Sequence, residues 1–453
     1  MKLSVLGGGG FRTPFVWQAL LRDTGTPRVD HVVLHDVSPE RLAGMRTVLE
    51  QLAEGFADPP RLETTTDLDV AVAGSDFVFV AVRIGGLEGR CQDEAVALES
   101  GVLGQETTGP GGLAYALRTV PFVVDLAGRV RRSAPHATVL NFTNPAGITT
   151  EAMQAVLGDR VVGICDTPSG LGRRVALLLG HDPALVQLDY AGLNHLGWLR
   201  RLLVGGVDVL PELLADEPRL ALLEESHVFG TSWLKVLGSL PNEYLYYYYS
   251  NREAVQRIRA ATLTRGQFLL TTQQEFFAAL PSAGAGAAEL WRRAVTDRSA
   301  SYMAEAKGGE QGAPANPEPP ETDPSQQGYA GVAVAVMAAV TRNERATMIL
   351  NVRNAGTIAG LPDDAVVEVP ATVDANGAHP LSTPPLDLHQ LGLVQQVKAV
   401  ERHTIAAAVH GDETEALRAF ALHPLVDSVA VARDLLAGYR ARIPEVAAVF
   451  DHR

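Results

Sequence analysis

Five short apolar runs mark the first 165 residues, and each stops at a turn or a polar residue. Lys2–Leu6 (KLSVL) runs into Gly7-Gly8-Gly9-Gly10, and His31–His35 (HVVLH) ends at Asp36. Residues 76–82 (DFVFVAV) end before Arg83, 137–142 (ATVLNF) before Thr143-Asn144-Pro145, and 160–164 (RVVGI) before Cys165. Such unbroken apolar runs suit strands buried on both faces of a parallel sheet. Between the first two, residues 14–21 carry a helical pattern, and Pro14 suits a first helical position because its missing N–H would be unpaired there. Val37-Ser38-Pro39-Glu40 opens a second helix with Ser38 as its cap. Strands alternating with helices predict an α/β, Rossmann-like, doubly wound parallel-sheet domain. In such sheets ligands gather at the carboxyl ends of the strands, where the glycines, Asp36, Arg83, Asn144 and Cys165 fall.

The rest of the chain is less regular. Residues 186–190 (VQLDY) read as a strand leading into Ala191-Gly192-Leu193-Asn194-His195, with several helical segments after it. Residues 346–352 and 366–369 read as strands, and the last sixty residues are Ala- and Leu-rich and helical. This predicts a C-terminal mixed α+β, mostly helical domain, with the division at 1–190 and 191–453. Residues 307–327, rich in Gly, Pro, Glu and Gln, read as a mobile surface loop or lid. No repeat period is present.

Composition narrows the function. The 453 residues carry 38 Lys+Arg against 52 Asp+Glu, a formal net charge of −14. Such a surface repels nucleic acid and anionic membranes, so neither is an expected partner, while a local basic pocket for a small anion stays open. No apolar stretch reaches the about 18 residues of a membrane span. The first residues, MKLSVLGGGG, have too short an apolar run for a signal or transit peptide. Cys91 and Cys165 are the only cysteines, no framework for disulfides, which suits a reduced, cytoplasmic protein.

The strand–glycine–helix turn at Gly7, Gly8, Gly9 and Gly10, with Phe11 after it, can cradle the phosphates of a dinucleotide against backbone N–H groups and a helix N-terminus. Asp36, ending the next strand, is placed to accept from ribose hydroxyls, which favours NAD over its phosphorylated form. Arg83, past another strand end, is assigned to the same cofactor. The competing reading is a plain turn with a surface Asp. Cys165 and His195 are good ligands for a borderline divalent metal, and two ligands leave positions open for substrate; a buried Cys and a core His remain the alternative. One tyrosine of the run 244–249 can be a general base if a cation lowers its pKa, although composition does not choose which.

In order along nearly the whole chain stand Gly7-Gly8-Gly9 with Thr13-Pro14, GQETTGPGG (104–112), NFTNPAG (141–147), GICDTP (163–168), GLNH (192–195), PNEYL (241–245), and NVRN (351–354) through LPDD (361–364). Together these resemble glycoside hydrolase family 4, the NAD- and metal-dependent glycosidases. The resemblance implies a redox elimination–addition hydrolysis: hydride from sugar C3 to NAD, deprotonation at C2, elimination at C1, water addition and hydride return. It implies Cys165 and His195 as ligands of Mn2+ or another divalent metal, Tyr244 as the C2 base and Asp166 as the proton donor to the leaving oxygen. Arg90 and Arg265 become sugar-phosphate contacts and Asn144 a substrate-hydroxyl contact. A homodimer or homotetramer is also implied. Cys165-Asp166-Thr167-Pro168 resembles members that cleave α-linked 6-phosphoglucosides, whereas 142–147 and 361–364 resemble β-type members; the β reading is favoured. Residues 297–302 depart from the Gly-rich form of β-type members, which points to altered specificity, including a substrate without 6-phosphate. The alternative class on the same fold is an NAD-dependent hydroxy-acid dehydrogenase, with a catalytic His and no metal.

Overall fold

The computed structural model describes residues 1–300, 303, 306 and 328–451; the loop or lid expected at 307–327 lies outside them. Strands β1 (Lys2–Leu6), β2 (His31–His35), β3 (Arg61–Thr65), β4 (Phe77–Val80), β5 (Thr138–Asn141) and β6 (Val161–Gly163) are parallel, in the order β3-β2-β1-β4-β5-β6. This is the doubly wound order of dinucleotide-binding folds. The physical cause is visible in β1 and β4: Leu3, Val5, Phe77 and Phe79 enter one core, while Leu6, Val78 and Val80 enter a second core on the opposite face. Edge strand β3 (RLETT) is polar and partly exposed, so no apolar run announces it.

Helix α1 (Thr13–Arg22) begins one residue before the expected Pro14, with Arg12 at its cap. In α2 (Pro39–Leu52) the Ser38 hydroxyl accepts the Arg41 N–H at 3.2 Å, the cap expected there. Helices α3 (Leu68–Val72), α4 (Gly86–Glu99), α5 (Pro110–Ser133), α6 (Ala146–Leu157) and α7 (Thr167–Leu178) complete the first half. The second half covers both faces of the same sheet. Tyr329–Arg342 and Ala287–Ala300 join the core of α1 and α2, whereas Leu388–His410 and the helices after it join the core of α5 and α6.

The segment after His195, expected to be helical, is strand β8 (Leu196–Val204), paired antiparallel with β7 (Val186–Leu193) through the turn Asn194-His195. The reason is an apolar sequence that buries Leu196, Trp198, Leu199 and Leu202. Helices resume only at Leu210–Ala215, after the short β9 (Val207–Asp208). With β10 (Leu240–Pro241), β11 (Ala346–Arg353), β12 (Val366–Asp374) and β13 (Gly377–Pro380), these strands extend the parallel sheet into one continuous mixed sheet. Two single-residue registers carry the extension, Asn351 opposite Gly163 and Glu368 opposite Gly192. One row therefore crosses five strands: Gly163, Asn351, Glu368, Gly192 and Gly197. A Cβ on Gly163 would stand 2.7 Å from that of Asn351, so only glycine lets the strands meet there.

His423, just past Glu413–Leu422, is buried, accepts the Leu425 N–H on Nδ1 at 3.1 Å and faces Tyr248. Burial pulls its pKa from the usual 6.5 down to about 3. Between those values the unfolded chain takes up a proton that the folded chain refuses, so stability is full above about pH 6.5 and falls as pH drops toward 3. His423→Asn keeps an acceptor for the Leu425 N–H but does not titrate. We expect this variant's urea-unfolding free energy to fall less steeply over that range, by the slope of about one proton. Equal slopes in parent and variant would refute the assignment.

Candidate active site

A cleft of about 1730 Å3 opens along the carboxyl ends of the parallel strands. At one end Gly7 has φ +85°, and a Cβ there would stand 2.3 Å from the Ala81 carbonyl oxygen. The backbone of β4 passes so close that only glycine fits. Gly7 and Gly8 N–H groups donate to His35 O, and Gly9 N–H donates to Asp36 Oδ2 at 3.1 Å. Gly7, Gly10, Phe11 and Asp36 line the cleft; Gly8 and Gly9 form the turn behind it. Phe11 is largely turned into the core, edge-on to Phe276 at 5.6 Å. Arg12 lies over the stacked rings of Phe142 and Tyr329, 5.3 and 5.1 Å from their centres.

The opposite wall carries Asn144, Cys165, Asp166, His195 and Tyr244, brought from four separate chain segments. His195 is buried and has φ +63°, a left-handed conformation that a non-glycine residue holds only where its surroundings enforce it. Its ring lies flat on Tyr244, centres 3.7 Å apart and planes within 3°, and Nδ1 is 3.1 Å from Thr107 Oγ1. Burial lowers the His195 pKa to about 4, so the ring is neutral at neutral pH and can offer a lone pair. Burial, then the charges of Glu368 and Asp166, push the Cys165 thiol well above its ordinary pKa. A bound cation would favour the thiolate form of this sulfur. Among the described residues no group of three His, Cys, Asp or Glu could hold a metal. Soft sulfur and neutral imidazole fit a borderline divalent ion that completes its shell with substrate and water.

Behind this wall Glu368 has no exposed surface. It accepts from Asn194 at 3.1 Å, Asn351 at 3.0 Å and Tyr190 at 3.1 Å, and Asn242 in turn donates to the Tyr190 oxygen at 3.3 Å. Burial raises the Glu368 pKa to about 7.

The arginines expected to meet phosphate are joined through a carboxylate. Glu94 accepts from Arg90 Nε at 2.9 Å and from the backbone N–H of Gly266 at 2.8 Å, beside Arg265 at the start of Arg265–Ala279. Arg90 also meets Glu106 at 2.8 Å, and Glu106 meets Arg83 at 2.7 Å. The Arg90 pairing is thus buried and not at the surface. Burial alone would raise the Glu106 pKa, yet the Arg83 and Arg90 guanidiniums hold it well below the carboxylate range. Arg83 Nη1 is buried without a hydrogen-bond partner, a donor that a ligand oxygen would satisfy. Eleven arginines and nine carboxylates line the described cleft, a cationic surplus inside a chain of net −14.

The cleft thus gathers Asp36, Arg83, Arg90, Asn144, Cys165, Asp166, His195, Tyr244 and Arg265. Sequence reasoning gave no role to Glu94, Gln105, Glu106, Thr107 or Glu368. Gln105, Glu106 and Thr107 lie in GQETTGPGG, where motif matching names the segment but not the partners, and Glu94 lies one turn past Arg90 on α4. Glu368 did leave a signal, a lone carboxylate in the apolar strand VVEV.

The fold and cleft define an α/β enzyme built on a doubly wound nucleotide-binding type of sheet. Residues 2–181 match family 4 glycosyl hydrolase and residues 190–426 match the family 4 glycosyl hydrolase C-terminal domain; the chain belongs to this family. It is 30% identical over 440 residues to the 6-phospho-beta-glucosidase of Thermotoga maritima, covering 96% of this chain and 97% of that one. The structure of the T. maritima enzyme with manganese, NAD+ and glucose-6-phosphate is similar with a TM-score of 0.82 and 29% identity, over 98% of this chain and 99% of that one. A 6-phospho-alpha-glucosidase from gut microorganisms, in complex with NAD and Mn2+, is similar with a TM-score of 0.80 and 26% identity, over 97% of each chain. No helix among the described residues is long and apolar enough to cross a membrane.

Tyr190→Phe tests the support behind the wall. It leaves a Glu368 oxygen without its donor and Asn242 Nδ2 without its acceptor, both buried. The expected loss is about 1–3 kcal/mol in urea unfolding; an unchanged midpoint and slope would show that the network is not structural.

Proposed function

We propose that this enzyme hydrolyses the O-glycosidic bond of 6-phosphorylated β-glucosides, using NAD and a divalent cation such as Mn2+. The observation that carries the reading is the convergence of Cys165, His195, Tyr244 and Asn144 on one wall of a cleft that also holds Arg90 and Arg265. The Gly7–Gly10 turn, Phe11, Asp36 and Arg83 would hold the dinucleotide, and Cys165 Sγ with His195 would hold the cation. When bound, the dinucleotide supplies reversible oxidation at a sugar carbon and the cation stabilises developing oxyanion charge.

The chain's own groups then have separate tasks. Arg90 and Arg265 clamp the sugar phosphate, for which the guanidinium fork is matched. Asn144 orients a sugar hydroxyl. The Tyr244 hydroxyl, on a ring held flat by His195, takes the proton at C2. Asp166, at the start of α7, gives a proton to the leaving oxygen. Residues 1–190 would supply the dinucleotide site together with Arg90, Asn144, Cys165 and Asp166, and residues 191–453 would add His195, Tyr244 and Arg265.

The 6-phospho-α-glucosidase reading is second, favoured by Cys165-Asp166-Thr167-Pro168 and by the α-acting relative. Both predict the same machinery. Nitrophenyl α- and β-glucosides, with and without 6-phosphate, separate them when assayed with NAD and Mn2+ under reducing conditions. We expect turnover of the β-linked phosphorylated substrate without NADH accumulation. Preference for the α-linked compound would move the assignment to the second reading, and net NADH production would indicate a dehydrogenase. Tyr244→Phe should lower kcat by about 100-fold or more while NADH still binds; retained activity would remove Tyr244 from the mechanism.

A further inference from the structure

His195 is useful to a cation only if the right ring nitrogen is free of its proton. In a neutral imidazole one nitrogen donates and the other accepts, and the partner of one nitrogen decides the state of the other. Around Nδ1 the donors and acceptors can be counted. Gln105 Oε1 accepts the backbone N–H groups of Thr107 and Thr108, both at 2.6 Å, which identifies that atom as the amide oxygen. The Thr107 hydroxyl lies 3.1 Å from the same oxygen, and among the described residues that oxygen is the one acceptor for its proton apart from His195. With its proton given to Gln105, Thr107 Oγ1 presents a lone pair to His195 Nδ1.

We propose that Gln105 and Thr107 form a positioning pair that keeps the proton of His195 on Nδ1, leaving Nε2 unprotonated for a divalent cation. The cation-holding part rests on the role given to His195 above; the direction of the hydrogen bonds does not. The pair also aims the ring. Gln105 anchors the loop before α5, Thr107 holds one edge of the imidazole, and the face of that imidazole supports Tyr244. Thr107 is thus a positioning residue for two groups of the site while lying outside the main cleft.

Two measurements test this. In the metal-free parent, two-bond proton–nitrogen spectra of the imidazole rings, with His195→Asn identifying the His195 signals, should show Nδ1–H and a bare Nε2. An Nε2–H tautomer would overturn the proposal. Independently, Mn2+ titration followed by electron paramagnetic resonance should show the dissociation constant of Thr107→Val raised about tenfold or more, the usual penalty for losing the partner of a ligating histidine. Thr107→Ser, which keeps the hydroxyl, should stay close to the parent. NADH binding serves as the check that each variant is folded. If the valine variant binds Mn2+ as the parent does, the proposed role fails. If the valine variant does not fold, the serine variant and the parent spectra decide. A parent that binds no Mn2+ removes the metal reading itself, and the spectra then judge the hydrogen-bond direction separately.

Discussion

One buried carboxylate holds the two halves of the sheet to a common geometry. Glu368 stands in the row Gly163, Asn351, Glu368, Gly192, Gly197, where the parallel strands meet the antiparallel extension. A buried carboxylate persists only if its lone pairs are met, and Asn351, Asn194 and Tyr190 meet them from β11, the β7–β8 turn and β7. Asn194 is the residue before His195. The carboxyl group that closes the seam thereby fixes the turn that carries the imidazole, and glycines on either side let the backbones approach closely enough for the bonds to form. Fold and site share one set of contacts.

The second constraint is electrostatic. A chain of net −14 offers its ligands a cleft with more arginines than carboxylates. Within it, Arg83 and Arg90 are already balanced by Glu94 and Glu106, so the phosphate of the proposed substrate would meet oriented donors more than raw charge. Guanidiniums locked by buried carboxylates lose little freedom when they bind, and selectivity then comes from geometry. The link from Glu94 to the start of Arg265–Ala279 places the two candidate phosphate arginines in one frame.

Strands β1, β2, β4, β5 and β6 were legible because burial on both faces leaves unbroken apolar runs. The rule that ligands gather at strand ends then grouped Asp36, Arg83, Asn144 and Cys165 correctly in one cleft. Strand β3 was not legible, because an exposed edge needs no apolar pattern. Strand β8 was misread as helical, since hairpin pairing depends on a partner strand that periodicity does not reveal. The motif order pointed to the family and contained the cleft residues Asn144, Cys165, Asp166, His195 and Tyr244. It did not show that Arg90 faces two carboxylates, or that Thr107 meets His195 across 88 positions. Such contacts are set by packing between distant segments, which local pattern does not encode.

The choice of cation in the cleft has a chemical consequence. Of the 38 basic residues only four are lysines, and none lines the described cleft. A primary amine beside a sugar ketone condenses with it to an imine, which would be a dead end for the mechanism proposed above, in which that carbonyl is reduced again. Guanidinium stays protonated at any cellular pH and is no such nucleophile. Under the redox mechanism proposed above, an all-arginine lining would grip anionic ligands without scavenging the oxidised sugar, a form of self-protection for an enzyme whose turnover passes through a carbonyl.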